Sequence, residues 1–357
     1  MTGKIVILEG DGIGPEIIKE AKKVLDKVAK KFNHSFKYIN EYIGGAAIDK
    51  FNVPITDECI KVCKTADAVL LGAVGGPKWD TIDPAIRPER GLLKIRKELG
   101  LFANIRPTKL FSELKNSCPL KDEIINKGID FVVVRELTGG VYFGKRKTET
   151  LKNGEIYGED CMGYSTHEVN RIGKVAFELA LTRSKKLCSI DKANVLDSSK
   201  VWRNVMKKLS TDYPTVEFSN MYVDNAAMQI IKNPSQFDVV VTENMFGDIL
   251  SDEASVLAGS LGMMPSSSLA SGRFGLYEPI HGSAPEIAGK NIANPIGTIL
   301  SAAMMLAHSL GLVKESKAIE TAVAKVLKKG FRTADITDSK SKPVGTTQMG
   351  DLICAEI

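Results

Sequence analysis

Lys4-Ile5-Val6-Ile7-Leu8-Glu9-Gly10-Asp11-Gly12-Ile13-Gly14-Pro15 opens the chain with a short β-branched apolar run that breaks into closely spaced glycines and a proline. Beyond it, Ile17, Ile18, Ala21, Val24, Leu25, Val28 and Phe32 recur at the three- and four-residue intervals of one helix face. Pro15 suits the first helical turn, where its missing N–H costs nothing. The stretch reads as strand, glycine loop, helix. Further β-like runs at Ala68–Leu71, Phe131–Val134, Ala193–Leu196, Val216–Val223 and Phe237–Val241 are separated by helical patterns such as Val169–Leu181 and Ala318–Leu327. Such alternation predicts an α/β protein with a largely parallel sheet. The loop itself stays open between two readings. Exposed N–H groups at a helix start attract phosphate, but the G-x-G-x-x-G fingerprint needs glycine where Pro15 stands, so a tight structural turn serves as well.

At 357 residues, 43% hydrophobic and 25% charged, the chain has the composition of a globular protein and is too long for one small core. The net charge of +5 is modest and the basic residues are spread out, without the stripe that nucleic-acid binding requires, so small anionic ligands fit better. Six cysteines, Cys59, Cys63, Cys118, Cys161, Cys188 and Cys354, form no disulfide framework and no paired metal motif; buried or incidental thiols in a reducing compartment are expected. The N-terminus runs directly into a strand-like segment and no apolar stretch reaches membrane-spanning length, which gives a cytoplasmic expectation with no membrane partner. Around Leu151–Tyr157 the Asn153-Gly154 pair signals a hairpin, an arm that could pair with another chain.

Chemistry-bearing residues cluster in a few strings. Asp248 and Asp252 stand four apart in a segment, Glu243–Leu261, with helical periodicity, so they share a face and could share a hard divalent cation with Asp224; a solvated helix face is the alternative. Arg96, Arg106 and Arg135 could clamp carboxylates through their guanidinium forks, or be ordinary surface residues. Arg135 stands out because it follows the run Phe131–Val134, and strand ends in α/β sheets face the ligand crevice. Tyr142, after two glycines, is a proton donor or a packed aromatic, and Lys192 a base or a solvated cation. The run Tyr277-Glu278-Pro279-Ile280-His281-Gly282-Ser283-Ala284-Pro285-Glu286-Ile287-Ala288-Gly289 offers small residues and two polar groups to an adenosine, or is an irregular turn before a helix over 294–306.

Read together, these strings resemble the β-decarboxylating dehydrogenase family of isocitrate, isopropylmalate, homoisocitrate and tartrate dehydrogenases. The likeness runs from Gly10–Pro15 to Val344-Gly345-Thr346. It is carried by Arg135-Glu136-Leu137-Thr138-Gly139-Gly140-Val141-Tyr142, Asp191-Lys192-Ala193-Asn194-Val195-Leu196, Asp224-Asn225-Ala226-Ala227-Met228 and Glu243-Asn244-Met245-Phe246-Gly247-Asp248-Ile249-Leu250-Ser251-Asp252.

The resemblance implies a two-domain α/β fold distinct from the Rossmann type, with a large, mixed, mostly parallel sheet. Residues 1–101 and 259–357 would form a cofactor-binding domain, and 102–258 a domain carrying the metal, the dimer contacts and a β-arm near 148–165. It implies that NAD is gripped by His281, Gly282, Ser283, Ala284, Glu286 and Asn294 rather than by the glycine loop. Glu286 argues for NAD because a carboxylate repels a 2′-phosphate. It stands where an aspartate is more familiar. Glu89, Leu92, Leu93 and Arg96 share a helix face. With Val195 they match the pattern of members whose substrate carries an isopropyl group, since apolar side chains would leave an extra carboxylate desolvated and unpaired. Mg2+ or Mn2+ would be held by Asp224, Asp248 and Asp252, substrate carboxylates by Arg96, Arg106 and Arg135. Lys192 would act as base and Tyr142 as acid in the oxidative decarboxylation of a branched-alkyl malate. The family further implies a homodimer with shared sites, Lys192 and Asp224 crossing from the partner. A sibling acting on homoisocitrate, isocitrate, malate or tartrate, and a non-catalytic regulatory subunit, are the competing expectations.

Overall fold

In chain order the strands that position the site are β1 (Thr2–Gly10), β2 (Ser35–Glu41), β3 (Ala68–Ala73), β4 (Ala103–Lys109), β5 (Asp130–Glu136), the pair β6 (Arg146–Thr150) and β7 (Ile156–Asp160), β8 (Lys186–Asp191), β9 (Glu217–Tyr222), β10 (Val239–Thr242), β11 (Pro265–Leu269) and β12 (Gly275–Pro279). They are seen in a computed structural model that describes residues 2–338 and 340–357. The chain divides into two compact units. One comprises Met1–Leu101, Lys109–Leu120 and Ser255–Ile357, the other Phe102–Thr108 and Lys121–Ala254.

In the first unit the strands run β2-β1-β3-β12-β11. Here β1 lies parallel to β2 and β3, β12 parallel to β3, and β11 antiparallel to β12. The second unit orders its strands β4-β5-β10-β8-β9, with β10 parallel to β5 and β8, and β8 parallel to β9. Parallel pairing dominates, as the alternation of strands and helices requires. All six residues of β3 and all four of β10 are buried, the near-continuous apolar runs of strands covered on both faces. The helix Gly14–Phe32 buries Ile17, Ile18, Ala21, Val24, Leu25 and Val28 and ends at Asn33 in the left-handed conformation.

Two expectations change. Ala193–Leu196 is a turn, closed by Val195 and Leu196 N–H donating to the Lys192 carbonyl, and the strand is the preceding Lys186–Asp191. Polar Ser189 and Asp191 masked it, yet both are buried and satisfied. Ser189 accepts from Trp202 Nε1 at 3.0 Å, and Asp191 accepts two bonds from Arg203, each at 2.8 Å. The helix expected over 243–261 runs Asn244–Ser255 and tightens to a 3-10 turn at Val256–Ala258 before Gly259, whose φ of 92° ends it. The hairpin signalled by Asn153-Gly154 is present, with β6 and β7 pairing antiparallel from Arg146 opposite Asp160 to Thr150 opposite Ile156. No helix among the described residues is long and apolar enough to cross a membrane.

The glycine loop is a structural turn. A Cβ on Gly10 would collide with the Ala73 carbonyl and one on Gly12 with the Ser283 carbonyl, both at positive φ. Between them Asp11 is buried and accepts the N–H groups of Gly45, Ala46 and Gly75, each at 2.8 Å. Burial raises its carboxyl above the ordinary range, and the three N–H groups pull the other way. Asp11→Ala should therefore lower the unfolding free energy by about 2–4 kcal/mol, because buried N–H groups lose their acceptor; urea unfolding measures it, and a loss under about 0.5 kcal/mol would contradict this role.

Candidate active site

The second unit gathers Arg106, Arg135, Tyr142, Asp248 and Asp252 into one hydrogen-bonded cluster. Arg106 projects from β4 and Arg135 from β5, the neighbouring strand in the sheet order. The helix Asn244–Ser255 follows β10, and its start is pinned by Glu243, whose carboxylate accepts Met245 N–H at 3.1 Å and Phe246 N–H at 2.6 Å. Helical spacing then puts Asp248, Ser251 and Asp252 on one face. Arg106 Nη1 donates to Ser251 Oγ at 2.6 Å and Asp252 Oδ1 at 3.1 Å, and lies 3.6 Å from Asp248 Oδ1. Its Nε donates to Asn104 Oδ1 at 2.7 Å. Arg135 Nη1 pairs with Asp248, while its Nε and Nη2 donate to Asn244 Oδ1 at 3.0 and 2.8 Å. Tyr142 Oη donates to Asp248 Oδ2 at 3.1 Å beneath the Arg135 guanidinium, 5.8 Å from the ring centre.

Charge shapes the titration of this cluster. Burial raises the Asp252 carboxyl, with Asp248 adding to the rise and Arg106 opposing it. Burial also raises the Tyr142 phenol, with the Asp248 charge next, so Tyr142 keeps its proton at neutral pH. Behind the cluster lie two buried carboxyls, Glu136 and Glu243, both raised by burial. Glu136 accepts Thr138 and Gly139 N–H groups and pairs with Arg171 Nη2 at 3.0 Å, fixing the turn that leads to Tyr142.

Lys192 and Asp224 form a separate pair. Lys192 follows β8, Asp224 begins the helix Val223–Lys232 after the adjacent β9, and Nζ donates to Asp224 Oδ1 at 2.9 Å. That contact holds the exposed Asp224 carboxyl below its usual range. Among the described residues no three acidic, His or Cys side chains converge as a metal would need, so within one chain Asp224 does not join Asp248 and Asp252. Val195 is 63% exposed on the turn after Lys192.

The remaining residues of the expected site belong to the first unit. Glu89, Leu92, Leu93 and Arg96 lie on the helix Pro88–Glu98, Glu89 exposed, the leucines half-buried, and Arg96 paired with Glu278 at 3.0 Å. The loop after β12 is tied down by Ser283, whose carbonyl accepts Ile13 N–H at 2.8 Å. His281 Nδ1 lies 2.8 Å from the Gly282 carbonyl, so the proton sits on Nδ1 and the lone pair on Nε2. Nε2 is buried with no partner, and burial lowers the ring's pKa, keeping it neutral. Gly282 has open space around its α-carbon, Ala284 takes a φ of 39°, and Glu286 is exposed. Asn294 is buried and spoken for. Its Oδ1 accepts Ile296 N–H at 3.0 Å at the start of the helix Ile296–His308, and its Nδ2 donates to Asp335 at 3.0 Å. Asn244, Ser251, Glu243 and Asp335, which the sequence reading passed over, are polar groups that align others. Burial distinguishes Asn244, Ser251 and Glu243, whereas the exposed Asp335 is marked only by its bond to Asn294, and no spacing announces either.

The donor set fits the implied groups. Asp248 and Asp252 offer hard carboxylate oxygens of the kind a divalent cation takes, and both now face the cationic Nη1 of Arg106, at 3.6 and 3.1 Å. The buried acceptor on His281 and the open backbone at Gly282 fit a nucleotide's N–H donors and close approach.

The isocitrate/isopropylmalate dehydrogenase family matches residues 4–353. The chain belongs to this family. It is 57% identical over its whole length to the 3-isopropylmalate dehydrogenase of Pseudomonas fluorescens, covering 99% of that protein, and 56% identical to that of Saccharophagus degradans, covering all of it. Among solved structures, the isocitrate dehydrogenase of Methylococcus capsulatus shares 32% identity with a TM-score of 0.87, covering 99% of both chains. A β-decarboxylating dehydrogenase from Thermococcus kodakarensis in its apo form shares 34% identity with a TM-score of 0.79, covering 99% of this chain and 96% of that one. A family member is a dehydrogenase, and the regulatory-subunit expectation gives way to an enzyme.

Arg171→Ala should cost about 2–3 kcal/mol, less than a fully buried pair because Arg171 reaches solvent. Burial raises the folded-state pKa of Glu136 above its unfolded value, so Glu136 favours folding at low pH and that contribution is lost as pH rises through the folded pKa. Removing the cation raises that pKa further. The variant's loss should therefore be larger at pH 8 than at pH 5 in urea unfolding, and equal losses at both would contradict the pairing.

Proposed function

We propose that the enzyme carries out NAD-dependent oxidative decarboxylation of (2R,3S)-3-isopropylmalate to 4-methyl-2-oxopentanoate and CO2, a step of leucine biosynthesis. The observation that carries this reading is the convergence of Arg106, Arg135, Tyr142, Asp248 and Asp252 in one cluster of a chain so similar to 3-isopropylmalate dehydrogenases. Arg106 and Arg135 exchange their carboxylate partners for those of the malate, assisted by Arg96, and hold the substrate in a fixed pose. Lys192 takes the C2 hydroxyl proton as the C2 hydride leaves for the cofactor. The C3–carboxylate bond then breaks, CO2 departs, and its electron pair forms the enolate. Tyr142 donates its proton to C3 and recovers one from solvent. Asp248, Asp252 and Asp224 would hold a divalent cation, Mg2+ or Mn2+, which would supply Lewis-acid stabilisation of negative charge on the substrate. NAD would accept the hydride; His281, Gly282, Ser283, Ala284 and Asn294 would hold its adenosine end, and Glu286 would disfavour a 2′-phosphate.

Leu92 and Leu93, and from the other unit Val195, are the residues assigned to the isopropyl group, with Glu89 on the same helix as the two leucines. An isocitrate carboxylate in their company would be desolvated without a partner, which sets this chain apart from the isocitrate dehydrogenase it resembles in fold. With NAD and manganese, kcat/KM should be highest for 3-isopropylmalate among malate, tartrate, isocitrate and homoisocitrate; a higher value for any tricarboxylate would overturn the assignment.

The working form is a homodimer in which Lys192 and Asp224 of one copy complete the Asp248–Asp252 cluster of the other. Two observations support it: the separation of these pairs within one chain, and apolar side chains turned outward on the same elements, Met228 at 61% and Ile249 at 60% exposure. The hairpin adds Ile156 and Tyr157, both exposed. Lys192→Ala and Asp248→Asn, each inactive alone, should regain activity when mixed under subunit exchange. In a mixed dimer one of the two sites is intact. No recovery despite verified exchange would refute the shared site.

A further inference from the structure

Asn244 carries no role in the reaction described so far, yet it is fully buried beside the cluster, with every hydrogen-bonding group engaged. Its Oδ1 accepts both Nε and Nη2 of Arg135, at 3.0 and 2.8 Å. Its Nδ2 donates to the Gly139 carbonyl at 3.0 Å, and its backbone N–H donates to Tyr164 Oη at 3.0 Å. The amide orientation follows from chemistry, since a guanidinium can only donate and a carbonyl can only accept. Two of Arg135's three nitrogens are thus held on one oxygen and Nη1 alone is turned to Asp248.

We propose that Asn244 is a positioning residue that locks the plane of the Arg135 guanidinium so that its Nη1 edge presents itself to a substrate carboxylate. The same amide fastens that plane to the Gly139-Gly140 turn leading to Tyr142. Tyr164 completes the frame by donating to Glu243 Oε2 at 3.2 Å, and it lies so close over Gly140 that a Cβ there would strike its hydroxyl. The inference rests on the reading of Arg135 as a carboxylate-binding residue.

The test is a double-mutant cycle on the full-length enzyme with 3-isopropylmalate, NAD and manganese, folding checked by near-UV circular dichroism. Asn244→Ala should raise KM for 3-isopropylmalate roughly tenfold to a hundredfold, the scale of a lost charge-assisted hydrogen bond, with KM for NAD within about twofold. Asn244→Asp keeps an acceptor for both guanidinium donors but loses the donor to the Gly139 carbonyl, so it should raise KM for 3-isopropylmalate by clearly less than alanine does, about threefold to tenfold. In an Arg135→Lys background, where no guanidinium plane exists to lock, Asn244→Ala should add less than about threefold. An undiminished effect in the lysine background, a parallel rise in KM for NAD, or an aspartate variant as impaired as alanine would overturn the positioning role. If Arg135→Lys itself leaves KM for 3-isopropylmalate unchanged, the assignment of Arg135 falls first and this inference with it. Should the alanine variant not fold, Asn244→Asp is measured in the Arg135 and Arg135→Lys backgrounds: a rise in KM with arginine that is lost with lysine supports the positioning role, and equal effects in both overturn it.

Discussion

Two guanidinium groups held almost out of water are the constraint around which the second unit is arranged. Arg106 and Arg135 are buried, always charged, and intolerable in that setting without counter-charge and full hydrogen bonding. The chain supplies them mostly from little more than two turns of one helix, with Asp248, Ser251 and Asp252 on one face and Asn244 at its start, and Asn104 on β4 adds the acceptor for Arg106 Nε. That demand explains the surroundings. The helix must begin immediately after β10, so Glu243 pins its first N–H groups. The turn after β5 must lie close, so it is built from Gly139 and Gly140 and clasped by Glu136. Charged residues placed so close to a core are costly to fold, and in the proposed function they would offer an arriving dicarboxylate partners already desolvated and oriented.

The α/β architecture was legible because its determinants are local. Continuous apolar runs such as Ala68–Leu71 can only be strands buried on both faces, and the spacing of Ile17, Ile18, Ala21, Val24, Leu25 and Val28 can only be a helix with one packed side. Reading failed at Ala193–Leu196 for the complementary reason. The true strand, Lys186–Asp191, buries a serine and an aspartate whose partners, Trp202 and Arg203, lie on the following helix. Tertiary hydrogen bonds there outweigh residue preference.

The site divides in the same manner. The four-residue spacing of Asp248 and Asp252 is a helical property, readable from the chain, and the two carboxylates do converge on Arg106. Asp224 carries no such local relation to them, and within one chain it turns to Lys192 instead. Asn294 is a second case. Only the family resemblance makes it a cofactor contact, and the bonds its amide makes to Ile296 N–H and to Asp335 are invisible to spacing. The glycine loop shows the reverse, a motif with a nucleotide-binding look whose backbone contacts are with Ala73 and Ser283.

The sheet order of the first unit has a consequence for biosynthesis. During translation β3 emerges with β1 and β2, but the strand that covers its other edge, β12, lies some two hundred residues downstream. Until Gly275–Pro279 leaves the ribosome, an entirely apolar strand presents unpaired backbone to its surroundings, an invitation to association between nascent chains. The intervening segment, with its own strands and core, can mature in the interval. The sheet of the amino-terminal third is thus completed only by strands from the carboxy-terminal third of the chain.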